Sequence, residues 1–163
     1  MRTNPKLNQL LTRLAASGRR VTAQRLAVCE ALLAHGGHPT TTEIWRRVHG
    51  VHPSISQATV YNTIATLEEL RLIQKLDIAG DEHAHYDLDV APHVNAVCTR
   101  CGRIADVYTD TLEALLGLVA TRSGYWLDPR EGMIVYGLCA DCSRATNDQH
   151  PTIVSHTSLR SVA

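Results

Sequence analysis

Two cysteine pairs of the form CxxC constrain this chain more than any other feature. They are Cys98 with Cys101 in "CTRC" and Cys139 with Cys142 in "CADC". Each pair places two thiolates on one side of a tight turn, and two such turns supply the four ligands of a tetrahedral Zn²⁺ site. The stretch between the pairs is longer than in a compact zinc ribbon, so the site would join two distant segments. A closed four-sulfur shell leaves no open position, which predicts a structural zinc.

A redox-active dithiol is the alternative explanation for a CxxC pair. Dithiols of the thioredoxin type open a helix after a strand in a βαβ unit, and we expect neither pair to do so. The fifth cysteine, Cys29, lies in the apolar run "LAVCEALL" and is predicted to be a small buried side chain. Disulfides are not expected, because the sequence favours the reducing cytosol.

The composition is that of a soluble protein. Of its 163 residues, 44% are hydrophobic and 20% are charged, and Phe is absent, so aliphatic side chains must fill the core. No run of about 18 apolar residues occurs, and we expect no membrane span. The opening "MRTNPKLNQLLTRLAAS" predicts an amphipathic helix rather than a signal peptide, which favours a cytoplasmic protein.

Charge is unevenly distributed along a chain whose formal net charge is zero. Residues 1–78 contain ten Lys and Arg against five Asp and Glu, whereas residues 79–163 contain six against eleven. A basic half followed by an acidic half indicates a polyanion-binding domain joined to a second unit, although a difference of this size also arises by chance.

Four short helices are predicted in the basic half. Leucines at helical spacing indicate a helix over 5–16, and Thr22 is a candidate N-cap for a helix over 23–33. "TTTEIWRRVHG" has a threonine cap and a Glu in its first turn, and Ser56 can cap a last helix, "QATVYNTIATLEELRLI". Short helices with tight breaks on a basic background are typical of a helix-turn-helix.

Strands are predicted in most of the remaining chain. The segments "IQKLDI" and "HAHYDLDV" predict the hairpin of a winged helix, and "NAVC" and "RIADVY" predict strands around the first cysteine pair. A helix capped by Thr109 or Asp110 should end at Gly124, with strands on both sides of a "PREG" turn after it. We expect an α+β fold in three parts: a winged helix-turn-helix domain over 1–84, a small α/β domain with the zinc site over 85–143, and a flexible tail over 144–163.

A second set of metal-ligand residue types lies outside the cysteines. It comprises three residues that alternate on one predicted strand and so share a face, two that flank the first cysteine pair, and one at a helix break: His83, His85 and Asp87; His93 and Asp106; and His38. Most histidines in proteins are only surface or hydrogen-bonded residues. Mixed imidazole and carboxylate ligands nevertheless suit Fe²⁺, Mn²⁺ or Zn²⁺. A site that draws on both halves would couple metal occupancy to their relative orientation.

Five segments of the chain form an ordered and specific set. They are "RVTAQR" (20–25), "HPTTTEIW" (38–45), "ISQATVYNTIATLEELRLI" (55–73), "CTRCG" (98–102) and "YGLCADC" (136–142). With them, the chain from about Leu10 to Cys142 resembles the ferric uptake regulator family of metal-responsive repressors. The resemblance implies a winged-helix DNA-binding domain with "ATVYNT" in its recognition helix, a dimerisation domain over 85–143, and a homodimer on palindromic operator DNA. Bound metal would hold the domains in a DNA-competent pose.

The resemblance also implies a regulatory metal site at five positions. They lie before the third helix, on the hinge strand, before the first cysteine pair and after it: His38, Asp87, His93 with Asn95, and Asp106. The last acid is Asp rather than Glu, which resembles the peroxide-sensing branch of the family. In that branch bound Fe²⁺ lets peroxide oxidise a ligand histidine and release the DNA, and His38 and His93 match the oxidisable positions.

Asn95 departs from the family pattern, which has a second histidine there. An amide carbonyl is a weaker ligand than imidazole, so we expect looser metal binding, a preference for the harder Mn²⁺, or recruitment of His85 in its place. The second regulatory site of some iron and zinc branches is expected to be missing, since its positions hold Pro92, Val94 and Glu131. An iron-, manganese- or zinc-uptake regulator without peroxide sensing is therefore the alternative within the family.

Contacts to operator DNA are predicted at the start of the recognition helix and on the neighbouring helix. The candidates are Ser56, Gln57, Thr59, Tyr61 and Asn62 in the major groove, with Arg20, Arg25 and also Arg19 at phosphates. Gln and Asn read adenine edges, and Thr and Tyr contact thymine methyl groups or phosphates. The alternatives are plain surface charges for the arginines and a core position for Tyr61.

Two other classes of protein compete with a regulator. A zinc-dependent hydrolase or deaminase would use His and Asp ligands with a water, but no HxE or HExxH motif occurs and neither CxxC follows a proline. A thiol oxidoreductase would lack tightly held zinc and have reactive cysteines. We therefore expect a repressor and not an enzyme.

Overall fold

The computed structural model describes residues 4–146. Four helices form the first part of the described chain, and two small sheets with further helices form the rest. In chain order the elements are α1 (Pro5–Ala16), α2 (Ala23–Leu33), α3 (Thr41–Val51), α4 (Gln57–Glu69), β1 (Gln74–Leu76), β2 (His85–Asp87), β3 (Val94–Cys98), β4 (Ile104–Val107), α5 (Leu112–Ser123), a short 3₁₀ turn (Pro129–Glu131), β5 (Met133–Gly137) and α6 (Ala140–Thr146). The part of the predicted tail beyond residue 146 lies outside the described residues.

The helix starts of the first half are capped as the sequence predicts. Thr22 and Ser56 each accept a hydrogen bond from the backbone N–H three residues further on. Thr40 and Glu43 form a complete capping box: the Glu43 carboxylate accepts from the Thr40 N–H at 2.7 Å, and the Thr40 hydroxyl accepts from the Glu43 N–H at 3.3 Å. These bonds satisfy N–H groups that a helix leaves unpaired at its first turn.

An aliphatic core joins α1 to α4. Its most deeply buried side chains include Leu14, Val28, Leu32, Val60 and Leu67. Cys29 lies in the same core, as predicted, and burial raises the pKa of its thiol to about 11. This core fixes α4 against the other helices and leaves the first turn of α4 at the surface.

A two-stranded hairpin completes the winged helix. β1 pairs antiparallel with β2, and His85 also forms a bridge with Thr40, just before α3. The prediction that α4 continues to Ile73 is wrong, because the helix ends at Glu69 and Arg71 adopts a left-handed backbone with φ of 51°. The predicted domain boundary between residues 84 and 85 stays a prediction; the term winged helix is used here for the elements α1 to β2 (residues 4–87), and the term second unit for residues 93–146, which contain β3 to α6.

A three-stranded sheet with the order β4-β3-β5 forms the second unit. Its central strand β3 runs antiparallel to β4 and parallel to β5. The prediction of a strand before the "PREG" turn is wrong, since residues 125–127 of the described chain form no strand. The Asp128 carboxylate instead accepts from the backbone N–H of Arg130 at 3.1 Å, which helps wind the segment into the 3₁₀ turn.

One prediction about a helix start in the second half is also wrong. The N-cap of α5 is Thr111, because Thr109 uses its hydroxyl to accept from the Thr111 N–H in a turn before the helix. The second cysteine pair lies where α6 begins after β5, but no strand follows α6 within residues 4–146, so this pair does not open the helix of a βαβ unit in that part of the chain. The end of α5 at Gly124 is confirmed, with that residue left-handed at φ of 74°.

Candidate metal centres

Four cysteines come together at the far end of the second sheet. Cys98 ends β3, Cys101 lies in the following turn, and Cys139 and Cys142 lie at the start of α6. Their sulfur atoms all lie within 4.8 Å of one another, and Cys101 Sγ is 3.8 Å from Cys139 Sγ. Tetrahedral Zn–S bonds of about 2.3 Å place sulfurs about 3.8 Å apart, so this spacing fits Zn²⁺.

The electrostatics of the cysteine cluster also fit a cation. Backbone N–H groups of Cys139, Cys101 and Arg100 lower the pKa of the Cys98 thiol to about 6. Burial and hydrogen bonds with the other three thiols raise the pKa of Cys142 to about 12. The four sulfurs therefore do not all ionise together unless a positive charge lies between them.

A second cluster joins the two halves of the molecule. It contains His38, before α3; Asp87, at the end of β2; His93, just before β3; and Asp106, on β4. One ligand atom of each residue lies within 4.8 Å of those of the others. The winged helix contributes two of these residues and the second sheet contributes the other two.

The polar atoms of this cluster face one another without forming hydrogen bonds. His38 Nε2 lies 2.9 Å from Asp106 Oδ1, and His93 Nε2 lies 2.9 Å from Asp87 Oδ2. Within the described residues, His38 Nε2, Asp87 Oδ2 and His93 Nε2 are nevertheless buried without a hydrogen-bond partner. Short contacts that lack hydrogen-bond geometry are expected where several lone pairs point at one shared centre. Such a donor set suits Fe²⁺, Mn²⁺ or Zn²⁺.

Asn95 lies on the same face of the sheet as this cluster. It follows His93 by two residues on the strand and pairs directly with Asp106 of β4, so the three side chains share one face. Its side chain is buried, and its Oδ1 also has no hydrogen-bond partner among the described residues. The residue that departs from the family pattern thus offers an unsatisfied oxygen.

Neighbouring charges act on the titrating groups of the cluster. Burial raises the pKa of Asp87, but the approach of His38 and a bond from the Asp89 N–H outweigh it and leave the pKa below its ordinary value. Burial likewise lowers the pKa of His93, whereas its bond to the Ala91 carbonyl and the charge of Asp87 raise it overall.

Tyr108 supports the cluster, and the sequence analysis did not single it out. Its ring packs against the His93 ring at 5.3 Å, and its hydroxyl donates to Asp89 Oδ2 at 2.8 Å. That bond raises the pKa of Tyr108 to about 12. The Asp89 N–H in turn donates to Asp87 Oδ1 at 2.6 Å, so both residues hold a ligand in place. The sequence did offer one signal for Tyr108: it follows the predicted ligand Asp106 by two residues in the predicted strand "RIADVY".

Gly132 is a second residue that the sequence analysis missed. Its backbone is left-handed, with φ of 63°, and a Cβ at this position would lie 2.6 Å from the His93 carbonyl oxygen. The next residue, Met133, donates its N–H to that same oxygen at 3.2 Å. The backbone of His93 is therefore held by the start of β5.

His85 lies outside the cluster that the structure brings together. Its Nδ1 is 2.8 Å from the His38 carbonyl oxygen, and its Nε2 is 3.0 Å from Asp81 Oδ2. Burial lowers the pKa of His85, but these two hydrogen bonds outweigh it and raise the pKa overall. His83 lies further out on the wing and is mostly exposed, 3.5 Å from Asp81.

The predicted DNA contacts lie at and near the first turn of α4. Ser56, Gln57, Tyr61, Asn62 and Arg20 are exposed, and Thr59 and Arg25 are half-buried. Ser56 and Thr59 also form the cap of α4, since the Ser56 Oγ accepts from the Thr59 N–H at 3.2 Å. Arg19 forms an ion pair with Glu69 at 2.9 Å, and its predicted contact with a phosphate stays a prediction. Tyr61 is 46% exposed, so the core alternative does not hold for it.

Comparison with known proteins gives concordant results. The model of the Ferric uptake regulator family matches residues 16–130. The Peroxide operon regulator of Bacillus subtilis (strain 168) is 32% identical over 142 residues, which cover 87% of this chain and 97% of that protein. Campylobacter jejuni peroxide stress regulator has a TM-score of 0.61 at 27% identity, covering 83% of this chain and 98% of that one. Helicobacter pylori Fur, at 22% identity, has a TM-score of 0.70 and covers 88% and 97%.

Fold, clusters and relatives together define a metal-responsive regulator of transcription rather than an enzyme. Within that class, the chain belongs to the ferric uptake regulator family. No helix among residues 4–146 is long and apolar enough to span a membrane.

Proposed function

We propose that the protein is a cytoplasmic, homodimeric repressor whose affinity for operator DNA depends on Fe²⁺ or Mn²⁺. The ion would be held by His38, Asp87, His93, Asn95 and Asp106, while Zn²⁺ at the four cysteines stabilises the dimerisation domain. The observation that carries the proposal is the convergence of buried, unsatisfied nitrogen and oxygen atoms from both units within the described chain.

A cation at this junction would bind the buried nitrogen and oxygen atoms that have no hydrogen-bond partner among the described residues. Buried polar atoms without partners are costly, and a paired or metal-coordinated arrangement removes that cost. Because His38 and Asp87 belong to the winged helix and His93 and Asp106 to the second unit, an ion held by all four restricts the angle between the units. The ion thereby favours one orientation over others in the population.

The surface of α4 supports the DNA-binding part of the proposal. Gln57, Tyr61 and Asn62 are exposed on the first two turns, and Arg20 is exposed nearby. A recognition helix enters the major groove with its N-terminal residues, and basic residues beside it meet phosphates. Ser56 and Thr59 would act mainly by ordering the first turn of the helix.

Exposed apolar surface on the second unit supports a homodimer. α5 buries Leu112 but exposes Leu115 and Leu118, each more than 40% accessible. The sheet exposes Val107 and Val135, which lie on the face opposite the metal cluster. Exposed aliphatic side chains on both a helix and a sheet of one unit are typical of a surface that another protein covers, and a second copy of the same chain brings an equal surface.

Peroxide sensing is supported by the relatives and by the ligand set. The Bacillus subtilis relative is named a peroxide operon regulator. The family resemblance implies that Asp106 stands at the acid position of the peroxide-sensing branch. When bound, Fe²⁺ supplies the electrons that reduce peroxide. The His38 and His93 rings are the oxidisable groups nearest the site, and loss of either as a ligand would release the restraint on the units.

A metal-uptake regulator of the same family is the second candidate function, and Asn95 favours it. An amide oxygen in place of an imidazole makes the set harder and suits Mn²⁺, which does not reduce peroxide under the same conditions. The two candidates agree on metal-dependent DNA binding and differ only in the response to peroxide.

Metal-dependent DNA binding is tested with the zinc-loaded, full-length protein. Operator sequences are selected from a random duplex library in the presence of Mn²⁺, and binding is then measured by fluorescence anisotropy with and without the ion. We expect tight binding only with Mn²⁺ or Fe²⁺. Equal affinity in both conditions, with the zinc retained, would refute the proposal.

The peroxide response is tested by comparing the Fe²⁺-loaded and Mn²⁺-loaded protein on the same operator. We expect hydrogen peroxide to abolish binding only for the Fe²⁺ form, with one added oxygen on the peptide that contains His38 or His93. An Fe²⁺ form that keeps both its DNA and its unmodified histidines identifies the uptake regulator instead.

A further inference from the structure

We propose that His85 is a positioning residue that ties the wing to the metal ligand His38 and is not itself a ligand. The wing is the hairpin formed by β1, residues 77–84 and β2. The inference rests on the proposed function, because it gives His85 a role in metal and DNA binding.

One side of the His85 ring holds the backbone of His38. The His38 carbonyl oxygen lies 2.8 Å from His85 Nδ1, and the following residue, Pro39, accepts from the Tyr86 N–H at 3.0 Å. A residue before proline has a restricted backbone. With its carbonyl fixed as well, His38 presents its ring to the cluster from a backbone that cannot turn freely.

The other side of the ring holds the wing. His85 Nε2 lies 3.0 Å from Asp81 Oδ2, and the second oxygen of Asp81 accepts from the His83 N–H at 2.8 Å. The Asp81 N–H itself donates to the Ile78 carbonyl at 3.1 Å. Asp81 therefore organises the turn of the wing and attaches it to His85.

Both ring nitrogens of His85 already face partners other than the cluster. Nδ1 lies 2.8 Å from the His38 carbonyl oxygen, which only accepts hydrogen bonds. Nε2 lies 3.0 Å from Asp81 Oδ2, on the side of the wing. Metal ligation requires a ring nitrogen that faces the ion, and neither nitrogen of His85 faces the cluster in this arrangement. The ring instead connects the wing to the site in two hydrogen bonds.

Two substitutions at His85 separate its two bonds. Asparagine reaches about as far as Nδ1 and keeps a donor for the His38 carbonyl, whereas glutamine reaches about as far as Nε2 and keeps a donor for Asp81. Asp81→Asn weakens the wing bond from the other side. Glu82→Gln is the matched control, because it removes a neighbouring carboxylate of the same wing whose side chain is exposed.

Metal affinity is measured by titrating Mn²⁺ into the zinc-loaded, full-length variants. We expect His85→Gln to lower Mn²⁺ affinity about tenfold, the usual effect of losing a partner of a ligand. His85→Asn, Asp81→Asn and the control should remain close to wild type. Co²⁺ in place of Mn²⁺ should give the same visible spectrum in all variants, because the ligands are unchanged.

DNA affinity at saturating Mn²⁺ should change in the opposite pattern. His85→Asn and Asp81→Asn release the wing, and we expect them to weaken operator binding about fivefold, as for one lost hydrogen bond.

In the protein without Mn²⁺, hydrogen exchange should quicken at the Tyr86 amide in His85→Gln and at the His83 amide in His85→Asn. These amides report the two bonds separately and need no exchangeable metal.

Several outcomes would overturn the assignment. A Co²⁺ spectrum that shifts in both His85 variants would show that His85 is a ligand. Unchanged Mn²⁺ affinity and unchanged amide hydrogen exchange in all variants would show that His85 positions neither His38 nor the wing. If His85→Asn and His85→Gln lose Mn²⁺ affinity and DNA affinity equally, and their Co²⁺ spectra are the same, the variants are destabilised in general. A wild-type protein whose DNA binding ignores Mn²⁺ overturns the proposed function alone, since the exchange measurements still decide the role of His85.

Discussion

The two clusters differ in where their residues come from. The cysteine cluster is assembled from one unit, by the end of β3, its following turn and the start of α6. The His and Asp cluster takes residues from both the winged helix and the second sheet. Each cluster has one exposed residue, Cys101 or Asp106, but two residues of the His and Asp cluster are buried, compared with one of the cysteine cluster.

This difference separates two uses of a cation. An ion held within one unit adds its binding free energy to the folding of that unit. An ion held across two units adds its binding free energy to one orientation between them. The first use calls for permanent sulfur ligation, and the second for harder ligands from which the ion exchanges.

The largest effect is expected from Cys101→Ser. Removing one sulfur should abolish stoichiometric zinc and destabilise the second unit, because structural zinc contributes on the order of 10 kcal/mol. Zinc per chain and the unfolding temperature measure this, with Cys29→Ala as the control that leaves the cluster intact. A variant that retains one tightly held zinc per chain would show that the ion is not held by these sulfurs.

His93→Ala should affect the other cluster alone. We expect Mn²⁺ affinity to fall about 100-fold or more, at least as much as for loss of a supporting residue. Zinc content should stay at one per chain. Mn²⁺ titration and metal analysis check both values, and His52→Ala, at an exposed histidine, should change neither. Simultaneous loss of zinc would mean that the clusters are not separate.

Gly132→Ala should disturb the His and Asp cluster through the backbone. A Cβ placed 2.6 Å from the His93 carbonyl oxygen forces that residue to move, and a left-handed alanine adds strain of about 1–3 kcal/mol. Gly124→Ala carries similar strain, at φ of 74°, with open space around its Cβ. Both variants should lose stability in urea, and only Gly132→Ala should also bind Mn²⁺ more weakly. Equal Mn²⁺ affinity would contradict this.

The smallest effect is expected at Asn95. Asn95→His should raise Mn²⁺ affinity about tenfold, or ~1.4 kcal/mol, because imidazole is a stronger ligand than an amide oxygen. Asn95→Ala should lower the affinity by a similar factor, since it removes an oxygen that is otherwise unsatisfied. Titrations of the three proteins with Mn²⁺ decide this. If all three agree, the residue at 95 takes no part in binding.

The two clusters also differ in how far the sequence could predict them. The cysteine cluster follows from two local spacings, each visible within four residues. The second cluster depended on the family resemblance, because His38 and Asp106 are far apart in the chain. Strand alternation placed His85 on the same face as Asp87, but it could not decide which ring nitrogen meets a carbonyl. That choice depends on Asp81 and on the carbonyl of His38, which only the fold brings near.

Local predictions failed where tertiary contacts or side-chain bonds replaced a regular pattern. The segment before β5 has strand-like residues, but the Asp128 side chain bonds to the following backbone and forms a 3₁₀ turn. α4 ends early because Arg71 adopts a left-handed backbone, which helical periodicity does not reveal. The caps at Thr22, Thr40 and Ser56 were predictable because each depends on residues three positions apart.

β3 has a mechanical consequence for the molecule. It begins directly after His93 and ends at Cys98, and it is clamped on both sides by β4 and β5. A strand of this length spans about 17 Å and resists stretching and bending. It therefore holds the cysteine cluster and His93 at a fixed separation, so that a displacement of the sulfur end would move the imidazole end with it.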